Sequence, residues 1–117
     1  MKLKVFGLTK CSTCQKALAW FDDNKIGYSF SDVRESPLDA TKAAKWSSVL
    51  GGWEKMINRA GYTWRGFSSA ETENLTEKKA IALAIRNPPL IRRPLIEHSD
   101  GSVTVGFSEK VRALLKP

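Results

Sequence analysis

The sequence predicts an α/β fold in the order β-α-β, helical insert, β-β-α, built on a mixed sheet. Three observations carry the prediction. Residues 2–33 read as strand, helix, strand; the middle of the chain has helical spacing of apolar residues; and two short strand patterns joined by a turn precede a capped helix at the end.

Taken in order, Lys2 to Phe6 alternates polar and apolar residues, with Val5 and Phe6 suited to a strand. Gly7 to Lys10 is a short loop. From Thr13 on, Ala17, Leu18, Trp20 and Phe21 fall at helical spacing, and Asp22-Asp23-Asn24 closes the helix. Tyr28 to Val33 alternates again and reads as the second strand. A strand, a helix and a strand this close together form a βαβ unit, which implies a parallel pair and a right-handed crossover.

The middle is helical in pattern. Leu38 to Leu50 and Trp53 to Ala60 place Trp46, Val49, Leu50, Trp53, Met56 and Ile57 at helical spacing, and Gly51-Gly52 splits the run in two. Thr76 to Arg86 is a further helix with Thr76 as cap, Glu77 in the first turn and Pro88-Pro89 beyond its end. The chain then returns to β: Pro94 to Glu97, a turn at Ser99-Asp100-Gly101, and Val103 to Gly106 form a hairpin. Phe107, Val111, Leu114 and Leu115 mark a closing helix capped by Ser108. Without its insert this order is the thioredoxin plan. The expectation is one domain over residues 1–117, with a thioredoxin-like core at 1–33 and 90–117 and a helical insert at 34–89.

Length and composition agree with one domain. The chain has 117 residues, 42% hydrophobic and 26% charged, enough to bury a core without a disulfide staple. The start lacks a long apolar run and a small-residue cleavage site, so no signal peptide is expected. No stretch approaches the ~20 apolar residues of a membrane helix. The expectation is a cytosolic protein with no membrane partner. The formal charge of +7 favours anionic partners. Its Lys and Arg residues are dispersed, which reads as solubility, so nucleic acid is not expected as a partner. A monomer is expected, since no apolar stripe is left over once the core is counted.

The chemistry concentrates where the first strand meets the first helix, at Cys11-Ser12-Thr13-Cys14. Two close cysteines in a cytosolic chain point to redox or metal chemistry. One histidine, His98 in a turn, and no second cysteine pair leave zinc short of ligands, so no metal site is expected. The thiolate is the reactive form of cysteine, and a helix N-terminus favours an anion. Cys11 falls at that end, and Lys10 beside it adds positive charge. Ser12 and Thr13 complete the anion-binding end of the helix. Cys14, one turn further in, has two readings: a resolving thiol that attacks a mixed disulfide on Cys11, or a packed small hydrophobe on the inner helix face. The basic residues Arg65, Arg92 and Arg93 also have two readings, as anion ligands or as solvated or ion-paired side chains. Arg93 stands out because Pro94 follows it and opens a strand; in a thioredoxin plan the residue before that strand faces the active site, and the proline is usually cis. An arginine fork suits an oxyanion or the carboxylate of glutathione.

These features together resemble the arsenate reductase (ArsC) family that also contains the Spx-type regulators. The residues are Phe6-Gly7, Cys11 to Ala17, Asn58-Arg59-Ala60-Gly61-Tyr62-Thr63-Trp64-Arg65, Pro89 to Leu95, and Gly106-Phe107-Ser108. The Gly-x-Thr-Trp-Arg and Arg-Pro-Leu segments are most similar to the YffB-type branch of glutathione-dependent thiol reductases. The resemblance implies a thioredoxin-like domain with a helical insert, Cys11 as nucleophile, Arg65 and Arg93 as two of three arginines that hold an oxyanion, and Pro94 as a cis proline. It implies no bound cofactor, with glutathione as cosubstrate and glutathione or a glutaredoxin as reductant. The third arginine is missing: Gly106 stands in its place. That departure shifts the expected substrate from arsenate toward a disulfide or glutathione adduct. The alternative from another class is an Spx-like redox-sensing regulator that binds RNA polymerase.

Overall fold

Four strands form one mixed sheet in the order β2-β1-β3-β4. The computed structural model describes residues 3–36 and 38–115. Strand β1 (Leu3–Gly7) buries Leu3, Val5 and Gly7 and turns Lys4 to solvent, as a half-buried strand must. Helix α1 (Ser12–Asp23) follows, burying Cys14, Ala17 and Phe21 along one stripe. Strand β2 (Tyr28–Asp32) then pairs in parallel with β1, Leu3 opposite Tyr28 and Gly7 opposite Asp32. The expected βαβ unit is therefore present; its predicted start at Lys2 lies outside the described residues.

The other half of the sheet comes from the end of the chain. Strand β3 (Leu95–Glu97) pairs antiparallel with β1, Val5 opposite Ile96, and strand β4 (Val103–Val105) pairs antiparallel with β3. The hairpin closes through His98, whose amide donates to the Ser102 carbonyl. Helix α7 (Glu109–Leu115) ends the described chain, and the Ser108 hydroxyl accepts from the Val111 amide as its cap. Leu3, Val5, Ala17, Phe21, Ile96 and Val111 make the core, with Trp20, Tyr28, Phe30 and Phe107 packed against it. Trp20, Phe21 and Phe107 meet edge to face with ring centroids 5.6–6.0 Å apart, a preferred aromatic geometry.

The chain divides into two compact units, Met1–Ser36 with Arg93–Pro117, and Pro37–Arg92. The second unit is helical. Helix α2 (Ala40–Leu50) starts at Asp39, whose side chain accepts from the Thr41 amide, and ends at Gly51 with φ +94°. Helix α6 (Glu77–Arg86) starts at Thr76, whose hydroxyl accepts from the Lys79 amide. These two helices pack on each other. Trp46 is wholly buried in this unit, and the buried Ser47 hydroxyl donates to Glu77 at 2.7 Å.

One reading of this segment needs correction. Helix α3 (Trp53–Met56) stops four residues before Ala60. Ile57 is extended and bridges to Ile91, flanked by bonds from the Asn58 amide to the Leu90 carbonyl and from the Arg92 amide to the Met56 carbonyl. A pairing between segments this far apart overrides helical spacing. Two single-turn helices, α4 (Tyr62–Arg65) and α5 (Ser69–Thr72), fall within the expected helical insert, where the spacing marked no separate element; α5 carries a capping box between Ser68 and Glu71. A 3-10 turn at Pro88–Leu90 leads out of α6. Among the described residues, no helix is long and apolar enough to cross a membrane.

Candidate active site

The loop Leu8–Lys10 carries the chain from the carboxyl end of β1 into α1, and Cys11 is the N-cap residue of that helix with extended backbone. The Gln15 amide donates to the Cys11 carbonyl, the first turn of the helix. Both cysteines are free thiols, Cys11 half-buried and Cys14 only 1% exposed.

The environment separates the two thiols. For Cys11, burial pushes the thiol up, but this is outweighed by the Cys14 amide, the Cys14 thiol, the Arg93 guanidinium and the Thr13 amide. The net shift is downward, toward thiolate. The sulfur closes no strict capping hydrogen bond; the helix-start amides act on it as oriented dipoles. For Cys14, burial is again the largest cause. With the neighbouring Cys11 sulfur it outweighs the Leu8 amide and Arg93, and the thiol is pushed up to about 11. Of the two, Cys11 is the thiol that ionises first, and Cys14 stays protonated at neutral pH. Gly7 makes the arrangement possible: a β-carbon there would lie 2.5 Å from the Cys14 sulfur.

Cys11 opens on a cavity of about 520 Å³ lined by Leu8, Thr9, Lys10, Asp32, Arg34, Glu35 and Arg93. Lys10 is in the lining, and Arg93 is the cation among the groups that lower Cys11. Arg93 is half-buried, its peptide bond to the buried Pro94 is cis, and the Pro94 carbonyl accepts from the Gly106 amide. Ser12 and Thr13 are exposed at the start of α1. Arg65, the last residue of α4, and Arg92 belong to the helical unit and are exposed. Gly106, where the resemblance calls for an arginine, has φ +81°, a conformation that a side chain disfavours.

Sequence reasoning missed the far wall of the cavity. Asp32, at the end of β2, accepts from the Thr9 amide at 2.8 Å and the Thr9 hydroxyl at 2.7 Å through one oxygen, and from the Arg34 amide at 2.8 Å through the other. These bonds hold its carboxyl down to about 2. The available signal was topological: a parallel β1–β2 pair sets the end of β2 beside the loop that follows β1.

The ArsC family profile matches residues 6–114. A solved structure described as a YffB protein superposes with a TM-score of 0.88 at 34% identity, covering 96% of each chain. An arsenate reductase (ArsC) related protein from Brucella melitensis gives a TM-score of 0.79 at 31% identity, covering 100% of this chain and 97% of its own. The global transcriptional regulator Spx of Streptococcus mutans is 28% identical over 107 residues, 90% of this chain and 77% of the regulator. The expectation that nucleic acid plays no part draws no support from that relative. The thioredoxin-like α/β fold, the helix-start cysteine pair and a family match over nearly the whole sequence lead to one statement: this chain belongs to the ArsC family.

Proposed function

We propose that the protein is a thiol-dependent reductase in which Cys11 is the nucleophile and glutathione or a glutaredoxin the reductant. One observation carries the reading: Cys11 stands at the start of α1, favoured as thiolate, and opens on the cavity that Arg93 also lines. The left-handed glycine at 106, where an arginine would help to hold arsenate, favours a disulfide or glutathione adduct over that oxyanion. The Cys11 thiolate attacks the glutathione-side sulfur of a mixed disulfide. A Cys11–glutathione bond forms, the substrate S–S bond breaks, and the substrate leaves as thiolate. A second glutathione thiolate then attacks the glutathionyl sulfur, releasing glutathione disulfide and the Cys11 thiolate. Cys14 provides an alternative second step: it gives up its proton and its sulfur attacks the Cys11 sulfur. The Cys11–glutathione bond breaks with glutathione leaving as thiolate, and two thiols of the reductant reopen the Cys11–Cys14 disulfide. Arg93 stabilises the anionic sulfur in each step.

The test is a titration of the Cys11 thiolate together with glutathione-dependent turnover of wild type and Cys11→Ser. The expected result is ionisation below the ordinary thiol value, turnover in wild type and none in Cys11→Ser. An ordinary thiol with no turnover overturns the reading.

The identity with Spx supports a second reading, a redox-sensing regulator that binds RNA polymerase. Retention of the carboxy-terminal domain of the polymerase α chain in only one redox state of the Cys11–Cys14 pair would establish it.

A further inference from the structure

We propose that Asp32 is a positioning residue: acting through Thr9, it fixes the loop that presents Cys11 at the start of α1. The proposal rests on the reading of Cys11 as the reactive thiolate.

Thr9 stands two residues before Cys11, and all three of its polar groups are held. Its amide and hydroxyl both donate to one oxygen of Asp32, at 2.8 and 2.7 Å. Its carbonyl accepts from the Gln15 side chain at 3.0 Å. The next link toward the nucleophile is also made, with the Cys11 amide donating to the Leu8 carbonyl at 3.0 Å. Asp32 is itself fixed. It closes β2 opposite Gly7, its second oxygen accepts from the Arg34 amide, and its carbonyl accepts from the Glu35 and Ser36 amides. An exposed threonine in a surface loop is ordinarily mobile. Here it is tied to a strand end on one side and to the helix on the other. The thiolate depends on the aim of the Cys14 and Thr13 amides at the sulfur, and that aim depends on how the loop delivers Cys11 into the helix. The bonds to Asp32 hold its carboxyl down to about 2, so the acceptor is a carboxylate at neutral pH.

Charge and position predict opposite signs, which makes the inference decidable. Asp32 lines the same cavity as Cys11. A carboxylate acting only through its charge disfavours a nearby thiolate, so its removal would make Cys11 more acidic. A carboxylate acting by positioning does the reverse. The experiment is the pH profile of Cys11 alkylation by iodoacetamide, with Cys14→Ser as background, for Asp32→Ala, Asp32→Asn and Thr9→Val. The expected result is about threefold less thiolate at a fixed pH below the midpoint in Asp32→Ala, and a smaller loss in Thr9→Val, which keeps the charge and the amide bond. Asp32→Asn, which can still accept from Thr9, is expected to fall between wild type and Asp32→Ala. A more acidic or unchanged Cys11 in Asp32→Ala overturns the proposal. If Asp32→Ala does not fold, unchanged profiles in both Thr9→Val and Asp32→Asn overturn it, and a loss in Thr9→Val supports it. Failure of the underlying reading looks different: wild-type Cys11 would itself titrate as an ordinary thiol.

Discussion

The Cys14 sulfur occupies the space that a β-carbon on Gly7 would need; the two would lie 2.5 Å apart. The last residue of β1 and the first inward-facing residue of α1 therefore fit each other as a pair. The neighbour is a buried sulfur one turn into a helix, so it has little room to yield. Gly7→Ala is expected to lower stability by about 1–3 kcal/mol, the usual cost of overpacking. Gly7→Ala combined with Cys14→Ala is expected to recover much of that loss, because the Cys14 β-carbon stands at an ordinary 3.6 Å. Denaturant melts of the four proteins check the coupling; simple additivity would contradict it.

The two thiols should also differ in how stability follows pH. Cys14 has a folded value raised to about 11 by burial, with an ordinary value of 9.0. Its contribution is fully present below about pH 9 and is lost as pH rises toward 11, since the unfolded chain releases that proton first. Cys11 is lowered, so its contribution is present above its ordinary value and is lost as pH falls through the folded one. The stability difference between wild type and Cys14→Ser should therefore shrink between pH 9 and 11. The difference between wild type and Cys11→Ser should grow as pH rises toward 9. Urea melts at fixed pH values measure both; a flat Cys14→Ser difference over that interval would contradict the first.

Arg93 is expected to matter through charge on the sulfur. Arg93→Ala should make Cys11 less acidic, and glutathione-dependent turnover should fall on the order of tenfold as an oriented cation is removed. Arg93→Lys should retain part of the acidity, since a point charge survives, and less of the turnover, since the fork is lost. Equal thiolate titration in all three proteins would show that Arg93 does not act on Cys11.

Introducing an arginine at position 106 should not be free of cost. A β-carbon there meets nothing within 4 Å, so space is not the obstacle; φ +81° is. Gly106→Arg and Gly106→Ala are each expected to lose about 1 kcal/mol, and Gly106→Asn less, because asparagine tolerates the left-handed region. Thermal melts of the three variants give the ranking, and an Asn variant weaker than Ala would contradict the backbone explanation.

What the sequence reveals and what it hides follows from how local each signal is. The alternation of Leu3, Lys4 and Val5, the spacing of Ala17 and Phe21, and the caps at Thr76 and Ser108 are decided by near neighbours, and they locate β1, α1, α6 and α7. The helix-start position of Cys11 is local in the same way. The Ile57–Ile91 bridge is not, and helical spacing runs through it as if it were absent. Asp32 is hidden for the same reason. Its bonds to Thr9 span 23 positions, and an aspartate after an alternating strand looks like any turn residue until β1 and β2 are in register. Short helices such as α4 and α5 fall below the length at which periodicity is readable.

The central pairing of the sheet joins residues about ninety positions apart, with Lys4 opposite Glu97. A ribosome releasing this chain exposes β1 and β2 long before β3 exists. Until then one edge of β1 has no partner strand from its own sheet, and the whole helical segment must emerge before that edge is covered. Pairings of such long range slow folding and leave an open edge during synthesis. The nascent chain is thus most vulnerable to association with other strands in the interval between the appearance of Asp32 and that of Glu97. Chaperone demand should fall in that same window of translation.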